Sequence, residues 1–232
     1  MKSLSRIIVS LCLLGSSTSH LSAGTEPKWD LRYEAKVEPD QEGAVEWLDG
    51  TKQLFQKPAK KNYDLSVRKE GLDFDFHGAG VFSLIPEKKE ITLKNNTLEF
   101  RLRLERTDNR IDPPAPNASA VCIQIGETQG GDPGMYMVGF YTDPGDGKNY
   151  VILQGRDKST PYEIGPDFHT FRVVARDGSI ALHVDGASVG VVAPRRGVNQ
   201  PGIRFGNARG SDHTGQSTLS YLRMNCGEGI DP

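Results

Sequence analysis

The run Phe168 to Val192, FHTFRVVARDGSIALHVDGASVGVV, narrows most sharply what this chain can fold into. Phe171, Val173 and Ala175 alternate with Thr170, Arg172 and Val174, and Ile180, Leu182 and Val184 alternate with Ala181 and His183. Successive side chains of a strand point to opposite faces, so a period of two marks half-buried strands. Between the runs stand Asp177-Gly178 and Asp185-Gly186. Asp-Gly pairs tolerate the positive φ angles that tight hairpin turns demand. The segment is therefore expected to be a three-stranded β-meander.

The rest of the chain carries the same signature. Trp29 to Val37 reads as a first strand, followed by a lysine-rich stretch, 40–62, with at most a short strand near Val45–Leu48. Asp64–Val67, Leu72–Phe76 and Val81–Ile85 come next. Thr97 to Glu105 is the most regular, with Leu98, Phe100, Leu102 and Leu104 inward and Glu99, Arg101, Arg103 and Glu105 outward. Ala120–Ile125, Tyr136–Tyr141, Tyr150–Gln154, Ile203–Phe205 and Thr218–Arg223 complete the set, while Pro113, Pro114 and Pro116 make 111–118 a surface loop. The 26 glycines and 14 prolines fall between apolar runs. About a dozen short strands without βαβ alternation predict an all-β fold, a two-sheet antiparallel jelly-roll sandwich. At 232 residues, one such domain over 24–232 accounts for the length.

Residues 1–23 have the form of a cleaved secretory signal: Lys2 and Arg6, then an apolar run Ile7–Leu14 too short to span a bilayer, then small residues to Ala23. The expected location is secreted, extracellular or periplasmic. Two cysteines then remain, Cys122 and Cys226, a candidate disulfide in an oxidising compartment; two separately buried thiols are the alternative. A formal net charge of −2 gives no global basic field to attract nucleic acid. Asn95-Asn96-Thr97 and Asn117-Ala-Ser119 are glycosylation sequons.

In the meander, His169, Thr170, Phe171, Arg172, Gly178, Ile180, Val184, Asp185 and Gly186 match the pattern H-T-[FY]-R … G-x-[IV] … V-D-G. The wording resembles the late strands of the concanavalin A-like lectin/glucanase superfamily, laminin G-like branch. The closing run Ile203–Arg223 resembles it too, and there the last strand returns beside the first. The resemblance implies a secreted sugar-binding or adhesive module. Calcium is common in that branch, and Asp143, Asp146 and Asn149 offer oxygen ligands; their spacing is not that of a calcium loop, and Asp-Gly turn chemistry explains them without a metal. No cofactor is expected, with calcium at this turn as the alternative.

Glycosidases of this superfamily place two acids on one strand face, in E-x-D-x-E spacing, for acid/base or nucleophilic work. Here Arg101 and Arg103 stand between Glu99 and Glu105, so cross-pairing is expected, and Asp73 and Asp75 read as solvated strand-face carboxylates. Jelly-roll polysaccharide lyases combine an arginine strand, a Gln-[IV]-His strand and a tyrosine strand. Arg101 and Arg103 fit the first and Gln124-Ile125 opens the second, but Gly126 stands where the histidine belongs, and Tyr136–Tyr141 lacks the lysine and glutamine of the third. What remains is a binding face of Arg101, Arg103, Gln124 and His183, joined by Tyr141 and Tyr150, since sugars are held by aromatic faces and convergent polar groups. His169 reads as structural, and the Arg195-Arg196 loop as either an anionic-glycan contact or solvated charge. The expected function is a secreted, non-catalytic lectin-like domain whose partner is a polysaccharide or glycoconjugate, with no nucleic acid and no membrane span. A carbohydrate-active lyase or hydrolase with a non-standard site, and a purely adhesive surface protein, are the alternatives.

Overall fold

The computed structural model describes residues 28–87, 89–109, 121–128, 132–208 and 213–227. The expected leader 1–23, the proline-rich run 111–118 and the Asn117 sequon lie outside them. Among the described residues every regular element is a strand, and no helix is long and apolar enough to cross a membrane. In chain order the strands are β1 (Leu31–Tyr33), β2 (Val45–Trp47), β3 (Lys52–Gln53), β4 (Tyr63–Arg68), β5 (Gly71–Phe76), β6 (Gly80–Leu84), β7 (Asn95–Asn109), β8 (Val121–Gly126) and β9 (Gly134–Thr142). There follow β10 (Asn149–Gln154), β11 (Tyr162–Ile164), β12 (His169–Arg176), β13 (Ser179–Val184), β14 (Ala187–Val192), β15 (Arg195–Arg196), β16 (Gly202–Asn207) and β17 (His213–Asn225).

They form two antiparallel sheets. The larger runs β14-β13-β12-β7-β17-β1-β2-β3, with β5 and β4 continuing from another stretch of β17; the smaller runs β11-β10-β9-β8-β16-β6, with β15 on β9. This is the expected jelly-roll sandwich, and its last strand does lie beside its first. β17 forks the larger sheet: residues 215–219 pair with β5 and residues 222–224 with β1. Its pairing with β7 shifts register between Gln216 and Ser217 and again between Leu219 and Tyr221, and such bulges bend a strand.

The meander is β12-β13-β14. Asp177 and Gly178 have φ of 50° and 80°, Asp185 and Gly186 of 50° and 85°, as two-residue primed turns require. The Asp185 carboxylate accepts the Thr170 N–H at 2.9 Å and lies 2.6 Å from His169 Nδ1, which ties the second turn to β12 and makes His169 structural.

Three strands depart from their expected extents by more than a residue or two. β1 is three residues long because Ala35 adopts a φ of 51°, turning the chain, and the Tyr33 hydroxyl donates to the Val37 carbonyl at 2.8 Å. β7 and β17 are much longer than their apolar alternation suggests. Their extensions hold buried Thr107, His213 and Ser217, polar groups that a hydrophobic period passes over.

The core lies between the sheets. Leu98, Phe100, Leu102 and Leu104 are buried on one face of β7, as expected. Phe140 of the smaller sheet meets Phe100 and Phe171 of the larger edge-on, at centroid distances of 6.1 and 5.0 Å. A second aromatic cluster centres on Phe205, between Tyr33 and Phe74 of one sheet and Phe82 of the other.

The expected Cys122–Cys226 bridge is not formed; both residues are free, buried thiols. Cys122 lies on the smaller sheet and leaves β8 on the side away from Val121 and Ile123, its thiol 3.2 Å from the Gly206 carbonyl. Cys226 follows the end of β17 in the larger sheet and belongs to the core cluster. Burial pushes both thiols up to about 12, far from the reactive thiolate. A chain beginning at Gly24 should therefore show no fast-reacting thiol when native and two when unfolded. Absence of thiol in the unfolded, unreduced chain would mean a disulfide after all.

Candidate functional site

The six residues proposed from sequence do not meet. Arg101, Arg103 and His183 stand on β7 and β13 in the larger sheet, whereas Gln124, Tyr141 and Tyr150 stand on β8, β9 and β10 in the smaller. All point away from the core, so they open on opposite outer faces of the sandwich. β7 belongs to the larger sheet and β8 to the smaller, a difference that strand-by-strand reading does not reveal.

The larger sheet's outer face is polar and internally matched. The Arg101 and Arg103 guanidinium groups lie 5.0 and 4.8 Å from the Phe168 ring centre. Arg103 donates to Glu105 at 2.6 Å and to Glu70 at 3.3 Å. Glu99 does not pair with Arg101 or Arg103. It is 1% exposed and accepts from Arg172 and Arg223 on the two flanking strands, at 2.6 and 2.7 Å, and from the Tyr221 hydroxyl at 3.0 Å. Burial alone would raise its pKa, but the two arginines outweigh that and hold it below the usual carboxylate value. Desolvation, with Arg172 beside it, lowers the pKa of His183. A cleft of about 450 Å³ over β4, β5 and β17 contains Asp73 and Asp75, which are half-buried and engaged rather than freely solvated. Asp73 accepts from Thr218 Oγ1 at 2.7 Å and pairs with Arg68, while Asp75 accepts from the Gln216 amide. Asp64, at the same cleft, lies 2.9 Å from His77 Nε2.

Tyr141 and Tyr150 stack at 5.4 Å, and the Tyr150 hydroxyl donates to Asp146 at 2.7 Å, which with its charge pushes that phenol up to about 12. The oxygens offered for calcium serve the turn instead. Asp143 accepts the Gly145 N–H at 2.7 Å, Asp146 the Lys148 N–H at 2.8 Å, and Asn149 Oδ1 the Thr142 hydroxyl at 2.8 Å. Among the described residues, no group of three or more His, Cys, Asp or Glu could hold a metal.

The smaller sheet's outer face is built differently. Register places Gln154 (β10), Met137 (β9), Gln124 (β8), Arg204 (β16) and Ser83 (β6) in one row across five strands. In the adjacent row Gly139, Cys122 and Gly206 keep the floor low. One side is walled by the segment 193–201. β15 pairs with Gly134 and Met135, the Arg156 N–H donates to the Ala193 carbonyl at 2.7 Å, and Glu127 Oε2 accepts from both Gly134 N (2.7 Å) and Arg196 Nη1 (2.8 Å). This wall comes so close that a Cβ on Gly126 would sit 2.0 Å from the Gln200 carbonyl oxygen, and one on Gly155 2.0 Å from that of Ala193. The backbone of Gln200 thus occupies the space that a lyase histidine at 126 would need.

Under the wall is a hollow of about 310 Å³ lined by Gln124, Gln154, Gln200, Met135, Met137 and Arg195. Gln124 faces away from the core yet is only 7% exposed, and its Oε1 has no hydrogen-bond partner among the described residues. Its Nε2 lies 3.3 Å from Met137 Sδ, a weak acceptor. A buried amide so left costs about 1–3 kcal/mol, which a ligand's hydroxyl would return. Sequence reasoning found Gln124 but missed Gln154, Arg204 and Gln200, whose convergence depends on strand order.

No family model and no curated protein matches the chain. Among solved structures, domain 4 of AbnA, a GH43 extracellular arabinanase from Geobacillus stearothermophilus in complex with arabinotriose, is similar over 88% of this chain and 95% of that one, with a TM-score of 0.51 and 9% identity. The binding domain of Paraclostridial Mosquitocidal Protein 1 matches over 87% of this chain, with a TM-score of 0.48 and 9% identity, and this chain spans 50% of its length. A Crh5 transglycosylase in complex with NAG matches over 86% of each chain, with a TM-score of 0.46 and 12% identity. At such identities the arabinanase domain shows a shared fold and nothing finer.

Proposed function

We propose that this chain is a secreted, non-catalytic carbohydrate- or matrix-binding domain of the laminin G-like kind, which holds a glycan in the groove across the smaller sheet. The observation that carries the reading is Gln124: an amide more than nine-tenths buried beneath a wall, in a row with Gln154, Met137, Arg204 and Ser83, its oxygen without a hydrogen-bond partner among the described residues. Buried polar groups are normally satisfied, and of the unpartnered buried side-chain atoms among the described residues Gln124 Oε1 is the one that lines a hollow open to a ligand. A row of amides and a guanidinium suits the hydroxyls of a sugar chain. The meander pattern from His169 to Gly186 supports the family reading, and the fold is one that holds arabinotriose in the arabinanase domain.

The test is Gln124→Leu, which removes the amide without opening a cavity. Affinity for a glycan found by screening the chain from Gly24 onward should fall by about 1–3 kcal/mol, roughly ten- to a hundredfold, because the lost contact is a buried polar one. Stability should hold or rise slightly, since an unsatisfied group leaves the interior. Arg101→Ala, on the other face, should leave affinity unchanged. If Arg101→Ala abolishes binding and Gln124→Leu does not, the site is on the wrong sheet. Release of reducing or unsaturated sugar ends by the wild type would refute the non-catalytic reading.

A further inference from the structure

The groove's charge says more than its shape. The hollow over Gln124 shares Gln154, Gly155 and Arg195 with a second of about 640 Å³ and borders at Ala208 on a third of about 570 Å³, so the three follow one another along a channel-like groove on the smaller sheet. Arg156, Lys158 and Arg195 line one end, Arg204 the middle and Lys60 the far end. Among the described residues none of these five makes an ion pair, and no Asp or Glu lines any of the three sections. On the opposite face, by contrast, Arg68 and Arg103 are matched with Asp73, Glu105 and Glu70. In a chain of formal net charge −2, so local a sorting of cations makes a positive channel rather than a generally basic surface.

We infer that this channel takes an anionic polysaccharide, a chain bearing carboxylate or sulfate groups; this rests on the reading that the groove holds a glycan. Lys60, Arg156, Lys158 and Arg195 are exposed and Arg204 is half-buried, so a polyanion can reach all five, and cations of one sign gathered along one groove sum to a local positive field. The row from β10 to β6 crosses four strand intervals, about 19 Å at ordinary spacing, which suits a polymer better than a single sugar. The amides of Gln124 and Gln154 meet hydroxyls between the charged groups. No aromatic ring lines the channel among the described residues, so it lacks the stacking platforms that hold single-stranded nucleic acid and many neutral sugars alike, which leaves charge and hydrogen bonds to hold the ligand.

The decisive experiment titrates the chain from Gly24 onward with polygalacturonate, dextran sulfate, carboxyl-reduced polygalacturonate and a single-stranded oligonucleotide, at about 30 mM and about 300 mM NaCl, where screening differs severalfold. At least one acidic polysaccharide should bind, tenfold or more tightly than the reduced polymer and the oligonucleotide, and weaken about tenfold with salt. Preference between carboxylate and sulfate polymers identifies the anion. Lys158→Gln, Arg195→Gln and Arg204→Gln should each cost roughly tenfold with unchanged thermal stability, as for a lost charge-assisted contact. If the reduced polymer binds as tightly as the acidic one, without salt dependence, the anionic class is wrong, while loss of that binding in Gln124→Leu would leave the glycan reading standing. Equal or tighter binding of the oligonucleotide overturns the inference, and failure of every polysaccharide to bind overturns both readings.

Discussion

Replacing Glu99 by glutamine is expected to lower the unfolding free energy by about 3 kcal/mol, measured by denaturant titration at neutral pH. That is the lower end of the range for a broken buried pair, because Arg172 and Arg223 keep about a quarter of their side-chain surface in water. The glutamine fills the same space but leaves two guanidinium groups facing each other without the charge that reconciles them. The same substitution should alter the acid limb of stability. Glu99 has a folded pKa below its ordinary value of 4.5, so its contribution is complete above that value and is lost as pH falls through the folded one. Wild type should therefore lose stability on acidification below the ordinary carboxylate range, and Glu99→Gln should lose less over that interval. Parallel acid limbs, or a neutral-pH change under about 0.5 kcal/mol as for an ordinary surface site, would show that Glu99 is merely one of the solvated outer charges.

Phe205→Ala is expected to cost about 3–5 kcal/mol, the usual range for deleting a core aromatic. Phe205 is 4% exposed and meets Tyr33, Phe55, Phe74 and Phe82 at centroid distances of 5.0 to 6.5 Å. Those rings come from both sheets, so the cavity would open at the seam of the sandwich, where close packing lets little collapse into it. Phe205→Leu should cost roughly half as much, since most of the buried area is kept. Phe205 also neighbours Arg204 on β16, whose side chain faces the channel. The alanine variant, while still folded, should therefore bind glycan more weakly and regain affinity at lower temperature; a stability loss below about 1 kcal/mol would mean that the two sheets do not depend on this ring.

The meander was legible because both of its determinants are local. Alternation of Phe171, Val173 and Ala175 fixes which face is buried, and Asp177-Gly178 and Asp185-Gly186 supply positive φ within two residues. The inward face of β7 was legible for the same reason. By contrast, β1 ended early because one residue, Ala35, took a left-handed φ that alanine does not advertise. The polar extensions of β7 and β17 were hidden because Thr107, His213 and Ser217 are buried by neighbouring strands and not by a hydrophobic pattern.

The amino-acid order by itself determined that this chain makes antiparallel strands, which side chains turn inward, and where the tight turns fall, since period and turn chemistry act over a few residues. Only the tertiary structure decided which outward side chains share a face. Arg101 and Gln124 both point away from the core, yet strand order puts them on opposite sides of the sandwich. Strand order likewise surrounds Glu99 with two arginines distant in sequence, keeps Cys122 and Cys226 apart as thiols, and aligns Gln154, Gln124 and Arg204 beneath a wall that Gly126 and Gly155 let approach. Each depends on which strands lie side by side, and that is settled by how the two sheets jointly bury their aromatic faces, a property of the whole chain that no local stretch contains.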